Sequence, residues 1–404
     1  MTASTHEAAA LAHLAGQVFA GGAQRVEELH QAVADRAFRS PGARGARAVH
    51  DAIAGAVYGT VRGAGRAAGS AAARRAARRP ERARLLSGSP RGAFAQSAIN
   101  GWVGDRLAGD GSALAVEMAV RVGHRDLPLT PEAVADAYPG ASRRIVVFTH
   151  GLGESEDAWR LRASARGGET YATRLEREHG ASSVFVRCNT GLHISENGRL
   201  LADLLGRLVD AWPVPVERLD LVGHSMGGLI GRAACHVASE RGDAWLDVME
   251  VTVSLGTPHH GAPLEQAAHV GEWLLRRVPE SAPLARLLET RSDGIKDLRF
   301  GAICEEDWAD CEPGGLLDDR RVEVPLHDGA RHYAVAATLT RSKDHPVARA
   351  LGDALVLADS AHGLGRGGRR TGFSDEAVAH LGGVGHLALL NHPEVEERLV
   401  AWLA

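Results

Sequence analysis

Cysteine is scarce, with four in 404 residues, too few for a disulfide scaffold in a chain of this length. Cys304 and Cys311 are close enough in sequence to pair in an oxidising compartment, but reduced thiols are the simpler expectation. Long hydrophobic runs are missing too: none reaches the ~18 residues of a spanning helix. The first residues include His6, Glu7 and His13 and no basic cluster. A secretory leader would need a charged start and an apolar centre, so a cytoplasmic protein is expected. Lysine is almost absent, and nearly every basic residue is arginine. That bias, with abundant Ala and Gly, reflects nucleotide composition as readily as selection, and it weakens any reading built on those counts. Extremes of composition are lacking as well. At 45% hydrophobic and 24% charged the chain is neither collagen-like nor disordered. Its length suits two domains, or one large domain with an extension.

The net charge of −4 hides an asymmetry: residues 1–125 carry 17 Arg and 9 acidic residues, leaving −12 for the rest. Residues 1–111 read as a helical, low-complexity extension. Leu11, Leu14, Val18, Val26, Leu29 and Val33 recur at helical spacing between Ala8 and Ala37, and Ser40-Pro41-Gly42 breaks the run. A second helix is expected where Val49, Ile53, Val57 and Val61 recur every four residues. Gly55, Gly59 and Gly63 share that interval, which suggests either close approach of a helix or lipid surface or an accident of composition. Arg74, Arg75, Arg78, Arg79, Arg82 and Arg84 form a basic run. Contact with an anionic membrane or lipid surface is conceivable. Nucleic acid is disfavoured, because no aromatic residue interleaves to stack on bases, and a solvated helix face is the simpler reading.

The texture changes near residue 112. Ala115–Val122 alternates loosely, and Gly123 offers a turn into His124–Leu129, a hairpin. Thr130 caps a short helix with Pro131 in its first turn. Ile145–Phe148 is a continuous apolar run, the mark of a strand buried on both faces, and Ser182–Val186, Leu219–Val222, Glu250–Leu255 and His332–Leu339 repeat the pattern. Helical stretches such as Gly198–Ala211 and Gly227–Arg241 lie between them. The alternation predicts an α/β fold with a mostly parallel sheet and helices on both faces.

Gly223-His224-Ser225-Met226-Gly227 sits directly after one of these strands and before a helix. A G-x-S-x-G sequence in that setting is a nucleophile elbow: a tight turn thrusts the Ser225 hydroxyl out, and glycines on either side let strand and helix approach. Thr149-His150-Gly151-Leu152-Gly153 follows the first buried strand, where this architecture places a second oxyanion donor. The expected donors are the backbone N–H groups of Leu152 and Met226, with His150 structural.

Gly-His-Ser-Met-Gly-Gly at 223–228, followed by Gly-Thr-Pro-His-His-Gly at 256–261, resembles the lipase/esterase branch of the α/β-hydrolase superfamily. The likeness is to bacterial lipases and GPI inositol-deacylase-like hydrolases, and it covers residues 112–404. His259 and His260 could suggest a metal pair, but neighbours on a loop point apart, and no metal or organic cofactor is expected. In this fold the chain order is nucleophile, acid, histidine. His386, in a glycine-rich loop before a final helix at Glu394–Leu403, is the expected base. His386-x-x-Leu389-Leu390-x-x-Pro393 matches the pattern of lipase-like members, and His392 is the alternative. The acid is open among Asp344, Asp353, Asp359, Asp375 and Glu376. The resemblance favours Asp353, because Gly352-Asp353-Ala354-Leu355-Val356 with Ser360-Ala361 behind it is similar to a Gly-Asp-Gly-Leu-Val segment of related lipases, with Ala354 in place of the second glycine.

Residues 262–331 are too long for a plain connection, and Trp273, Leu274, Leu275, Val278, Leu284, Leu287 and Leu288 make them apolar, so a helical cap or lid is expected within the hydrolase domain. The resemblance implies a serine hydrolase acting on carboxylic esters, lipid or medium-chain acyl, through an acyl-enzyme on Ser225, Asp353 and His386. Two alternatives share the sequence: an acyltransferase with the same triad, and an inactive lipid-surface or scaffold protein using residues 47–84.

Overall fold

In the computed structural model the described residues are 3–38, 44–78, 86–263, 265–266, 289–309, 319, 321–342 and 344–404. The Ser40-Pro41-Gly42 break, Arg79, Arg82, Arg84, Cys311 and the apolar cap side chains from Trp273 to Leu288 lie outside them. The chain forms two compact units, one of residues 1–92, 107–115 and 267–291, the other of residues 93–106, 116–266 and 292–404.

The first unit is built on two long helices, α1 (Ala3–Ala37) and α2 (Arg44–Ala77). They come close at Gly16 and Gly69, where a Cβ on either would lie 2.9 Å from the other's Cα. Gly55, Gly59 and Gly63 do not make this contact: a Cβ there meets nothing within 4 Å. Ion pairs of Arg47 with Asp35 and of Arg62 with Glu27 join the two helices. Val18, Phe19, Val26, Ile53 and Val57 stay exposed. Among the described residues no helix is long and apolar enough to cross a membrane.

The second unit is an eight-stranded sheet of β1 (Ala119–Val122), β2 (Arg125–Asp126), β3 (Arg144–Thr149), β4 (Ser182–Arg187), β5 (Arg218–His224), β6 (Met249–Leu255), β7 (Arg331–Thr338) and β8 (Val378–Gly382). The order is β2-β1-β4-β3-β5-β6-β7-β8. Strands β3 to β8 are parallel, and β1 runs antiparallel to both β2 and β4. This is the α/β-hydrolase fold. Successive residues of β3 feed opposite faces of the sheet: Ile145 and Val147 join one core, Val146 and Phe148 the other. The first core is closed by α6 (Ile194–Ala211) and α7 (Met226–Arg241), through Leu201, Leu205, Leu229 and Ile230. The second is closed by α5 (Tyr171–His179) and the C-terminal helix Pro393–Trp402, through Leu175, Val395 and Leu399. A sheet covered on both faces explains why its central strands read as unbroken apolar runs.

Helix α3 (Pro90–Gly109) contributes residues 93–106 to this second unit. Asn100 accepts the Val116 N–H at 2.9 Å, and the Gly104 carbonyl accepts from Asn189 at 3.0 Å.

Candidate active site

The chain leaves β5 at His224 and enters α7 at Met226, so Ser225 alone makes the turn. It does so at φ 53°, ψ −123°, a conformation that L-residues adopt only under tertiary constraint. Two hydrogen bonds hold it there: Ser225 N–H donates to the Leu255 carbonyl at 2.8 Å, and Gly228 N–H to the Ser225 carbonyl at 3.1 Å. The flanking glycines are steric necessities. A Cβ on Gly223 would lie 2.5 Å from the Gly228 nitrogen, and one on Gly227 would lie 2.3 Å from the Thr149 oxygen. Ser225 stands at the N-terminus of α7, where the helix dipole favours negative charge.

Opposite it runs the loop after β3. Thr149 Oγ1 donates to the Gly227 carbonyl at 3.1 Å, tying the loop to the elbow. His150 is fully buried, and burial pushes its pKa down. In the neutral ring, Nδ1–H donates to the Gly151 carbonyl at 2.9 Å and Nε2 accepts the Cys188 N–H at 3.2 Å. It is a strut of the loop, as expected. Gly151 lies so near Ser225 that a Cβ on it would come 2.9 Å from Ser225 Cβ. The N–H groups of Gly151, Gly153 and Glu154 are taken by Glu154 Oε2, Thr190 Oγ1 and the Gly151 carbonyl. Those of Leu152 and Met226 have no acceptor among the described residues.

His386 and Asp353 meet, although 33 residues separate them. Nδ1–H of the buried His386 donates to Asp353 Oδ2 at 2.7 Å. The other carboxylate oxygen accepts the N–H groups of Leu355 at 3.0 Å and Val356 at 2.8 Å, so the acid is held in place by its own turn. The His386 ring packs 3.2 Å from a Cβ position on Gly256, the residue after the Leu255 that anchors Ser225. Asp344, Asp359, Asp375 and Glu376 are exposed, and none bonds to His386. His392 is elsewhere: its N–H donates to the Tyr171 hydroxyl at 2.8 Å, and burial lowers the pKa of its ring.

Ala354, the departure from the related glycine, has φ 93°. This explains why a glycine suits the position: the turn around Asp353 needs a backbone that only glycine adopts without strain.

Sequence reasoning missed a second buried pair. His224 Nδ1 lies 3.0 Å from Glu154 Oε2, and the His224 and His386 ring centroids are 4.8 Å apart. The residues sit in plain view within Gly-His-Ser and His-Gly-Leu-Gly-Glu, but nothing in either segment says that they meet. His259 and His260 turn to different partners, the first to Arg232 and the second to the Gly363 carbonyl. Burial lowers both rings, His260 to about 4. A cavity of about 490 Å³ lies beside them, lined by Arg232, Arg321 and Arg369.

Sheet order and the turn from β5 through Ser225 into α7 give this unit the α/β-hydrolase fold. More particularly, residues 140–298 match the family model described as "Putative serine esterase (DUF676)". Among solved structures the chain is similar to the lipase BlEst2 of Bacillus licheniformis at 19% identity. The TM-score is 0.40 over 65% of this chain and 92% of the mature form, and 0.41 over 65% of this chain and 50% of the propeptide form. The chain thus spans half the length of that longer form. It is also similar to the metagenomic carboxyl esterase MGS0156, with 15% identity and a TM-score of 0.36 over 78% of this chain and 92% of that one. A third likeness is to the RedJ thioesterase of the prodiginine pathway in Streptomyces coelicolor, with 20% identity and a TM-score of 0.33 over 66% and 91%. No protein of curated function matches the chain in sequence.

Proposed function

We propose that the protein hydrolyses carboxylic esters by two-step acyl transfer on Ser225, His386 and Asp353. The observation that carries this reading is the buried His386–Asp353 hydrogen bond of 2.7 Å on the loop that packs behind the strained Ser225 turn. Asp353 holds His386 with its proton on Nδ1, leaving Nε2 free to take the Ser225 proton. Attack on the ester carbonyl places negative charge on its oxygen, and the free N–H groups of Leu152 and Met226 receive it, worth about 3–4 kcal/mol per donor. His386 then protonates the departing alcohol, and water, activated by the same ring, releases the acid.

The substrate in this reading is a lipid or medium-chain acyl ester. Its support is the apolar sequence of residues 262–331. A peripheral contact of the N-terminal helices with a lipid surface belongs to the same reading, supported by the exposed Val18, Phe19, Ile53 and Val57 and the arginines at the end of α2. A cytoplasmic setting is supported by three buried free thiols, Cys188, Cys235 and Cys304.

A fluorophosphonate probe should label the protein, and Ser225→Ala should remove both the label and turnover of p-nitrophenyl esters. A chain-length series then reads the acyl preference. An unlabelled but folded wild-type protein, or an active Ser225→Ala variant, overturns the reading.

A further inference from the structure

The hairpin of β1 and β2 turns at Gly123-His124, and its tip meets the short helix Glu156–Arg160 that follows the Gly151–Glu154 loop. There His124, Glu156 and Asp157 converge, with one ligand atom of each within 4.8 Å of the others. Each of His124 Nδ1, Glu156 Oε2 and Asp157 Oδ2 is buried and has no hydrogen-bond partner. His124 Nδ1 lies 3.4 Å from Asp157 Oδ2. Glu156 is only 8% exposed. Buried polar atoms are rarely left unsatisfied, because each forfeits its hydration without replacement. Three in one place, all good ligand atoms, call for a common partner.

The surroundings orient the cluster. The Arg121 side chain, 1% exposed, donates from Nε to Glu156 Oε1 at 2.8 Å and from Nη2 to the His124 carbonyl at 2.6 Å. Its Nη1 bonds Asp126, which also accepts from Arg187 at 3.1 Å. One guanidinium thus positions two of the three ligand residues through groups that do not ligate. Fixed outer contacts of this kind are what metal sites use to aim their ligands. Three carboxylates, Asp126, Glu156 and Asp157, are balanced here by Arg121, Arg187 and Arg160, so the unsatisfied ligand atoms rather than net charge carry the argument.

We propose that His124, Glu156 and Asp157 bind a divalent transition-metal ion, with Zn²⁺ the best fit. One imidazole nitrogen and two carboxylates suit zinc, whereas calcium and magnesium prefer oxygen alone. Ligands at about 2.1 Å from zinc lie no more than about 4.2 Å apart, so the cluster closes slightly on the ion and solvent completes the tetrahedron. The role is structural: the ion joins the β1–β2 hairpin to the segment just beyond Glu154, whose carboxylate holds Gly151 beside Ser225.

The test uses the full chain, without a histidine tag, stripped with a chelator. Titration with Zn²⁺ should give one equivalent bound per chain and a raised thermal midpoint, and Co²⁺ should give a visible absorption band. His124→Gln and Asp157→Asn should each weaken binding on the order of a hundredfold or more and abolish the thermal shift. Circular dichroism of both variants separates lost ligation from lost folding. If both misfold, the chelator's effect on the wild-type midpoint decides. Wild-type protein that binds neither ion overturns the proposal, as does one equivalent of zinc retained by both folded variants. A thermal shift with Ca²⁺ and none with Zn²⁺ overturns the assignment to a transition metal. None of these readouts depends on ester turnover.

Discussion

His224 donates from Nδ1 to Glu154 Oε2 at 3.0 Å, and its Nε2 lies 3.4 Å from the His386 carbonyl. Both partners are acceptors, so the charged ring, with a proton on each nitrogen, satisfies both. Burial works against that charge, but Glu154 outweighs it and raises the His224 pKa above 6.5. Burial likewise opposes the Glu154 charge, yet His224 and the Gly151 N–H hold its pKa at about 2. The pair fastens three segments at once: the elbow, the loop at Gly151 and the loop of His386.

A pH dependence follows. His224 is raised, so its stabilising contribution is complete below its ordinary 6.5 and fades as pH climbs through its folded value. Glu154 is lowered, so its contribution is complete above 4.5 and fades as pH falls toward about 2. Glu154→Gln should cost about 3 kcal/mol between these limits, because it leaves a buried cation unpaired. It should also flatten the acid limb of the curve of thermal midpoint against pH. Parallel curves for wild type and variant would show that the pair is not ionic.

Asp353→Asn should lower kcat by roughly 10⁴-fold, since an amide favours the wrong tautomer of His386. Asp344→Asn, in an exposed loop, should leave kcat within a factor of about two. Kinetics of the two variants on one ester decide the matter, and the reverse ranking would move the acid to Asp344.

Gly227→Ala forces a Cβ into the space 2.3 Å from the Thr149 oxygen. Backbone cannot retreat as a side chain can, so a loss of about 2–3 kcal/mol is expected, together with weaker fluorophosphonate labelling as Ser225 shifts. Chemical denaturation and labelling rates measure the two effects.

Ala354→Gly should stabilise the protein. At φ 93° the alanine carries strain that glycine does not, on the order of 1 kcal/mol after glycine's greater unfolded-state entropy is subtracted. The thermal midpoint should rise by about 2 °C, and an unchanged or lower value would mean that the loop has absorbed the strain.

Much of the fold is legible in local pattern. Ile145–Phe148, Ser182–Val186 and Leu219–Val222 lie inside β3, β4 and β5, because a strand covered on both faces must be apolar throughout. Strand β8 escaped notice: Val378–Gly382 is five residues long with His380 at its centre, and its parallel pairing to β7 leaves no local signature. Helix α5 was hidden similarly, since only Tyr171, Ala172 and Leu175 of its nine residues are buried.

Short-range constraint is what sequence alone determined: a strand, a glycine-flanked serine and a helix in succession, with a His-Gly loop after an earlier strand. Those residues are neighbours along the chain, and their spacing already dictates the turn that they make. Long-range company was decided only by folding. Five carboxylates precede His386 as candidates in the sequence, and the parallel sheet sets Asp353 against it because the loops after β7 and β8 leave the same edge side by side. The same holds for His224 with Glu154, for the cluster of His124, Glu156 and Asp157, and for Gly101 of α3. Compositionally, Gly101 belongs with the N-terminal extension, yet a Cβ on it would lie 3.0 Å from Gly153. Contacts of this kind depend on which strands the sheet makes adjacent, and hydrophobic period along one segment carries no record of its neighbour.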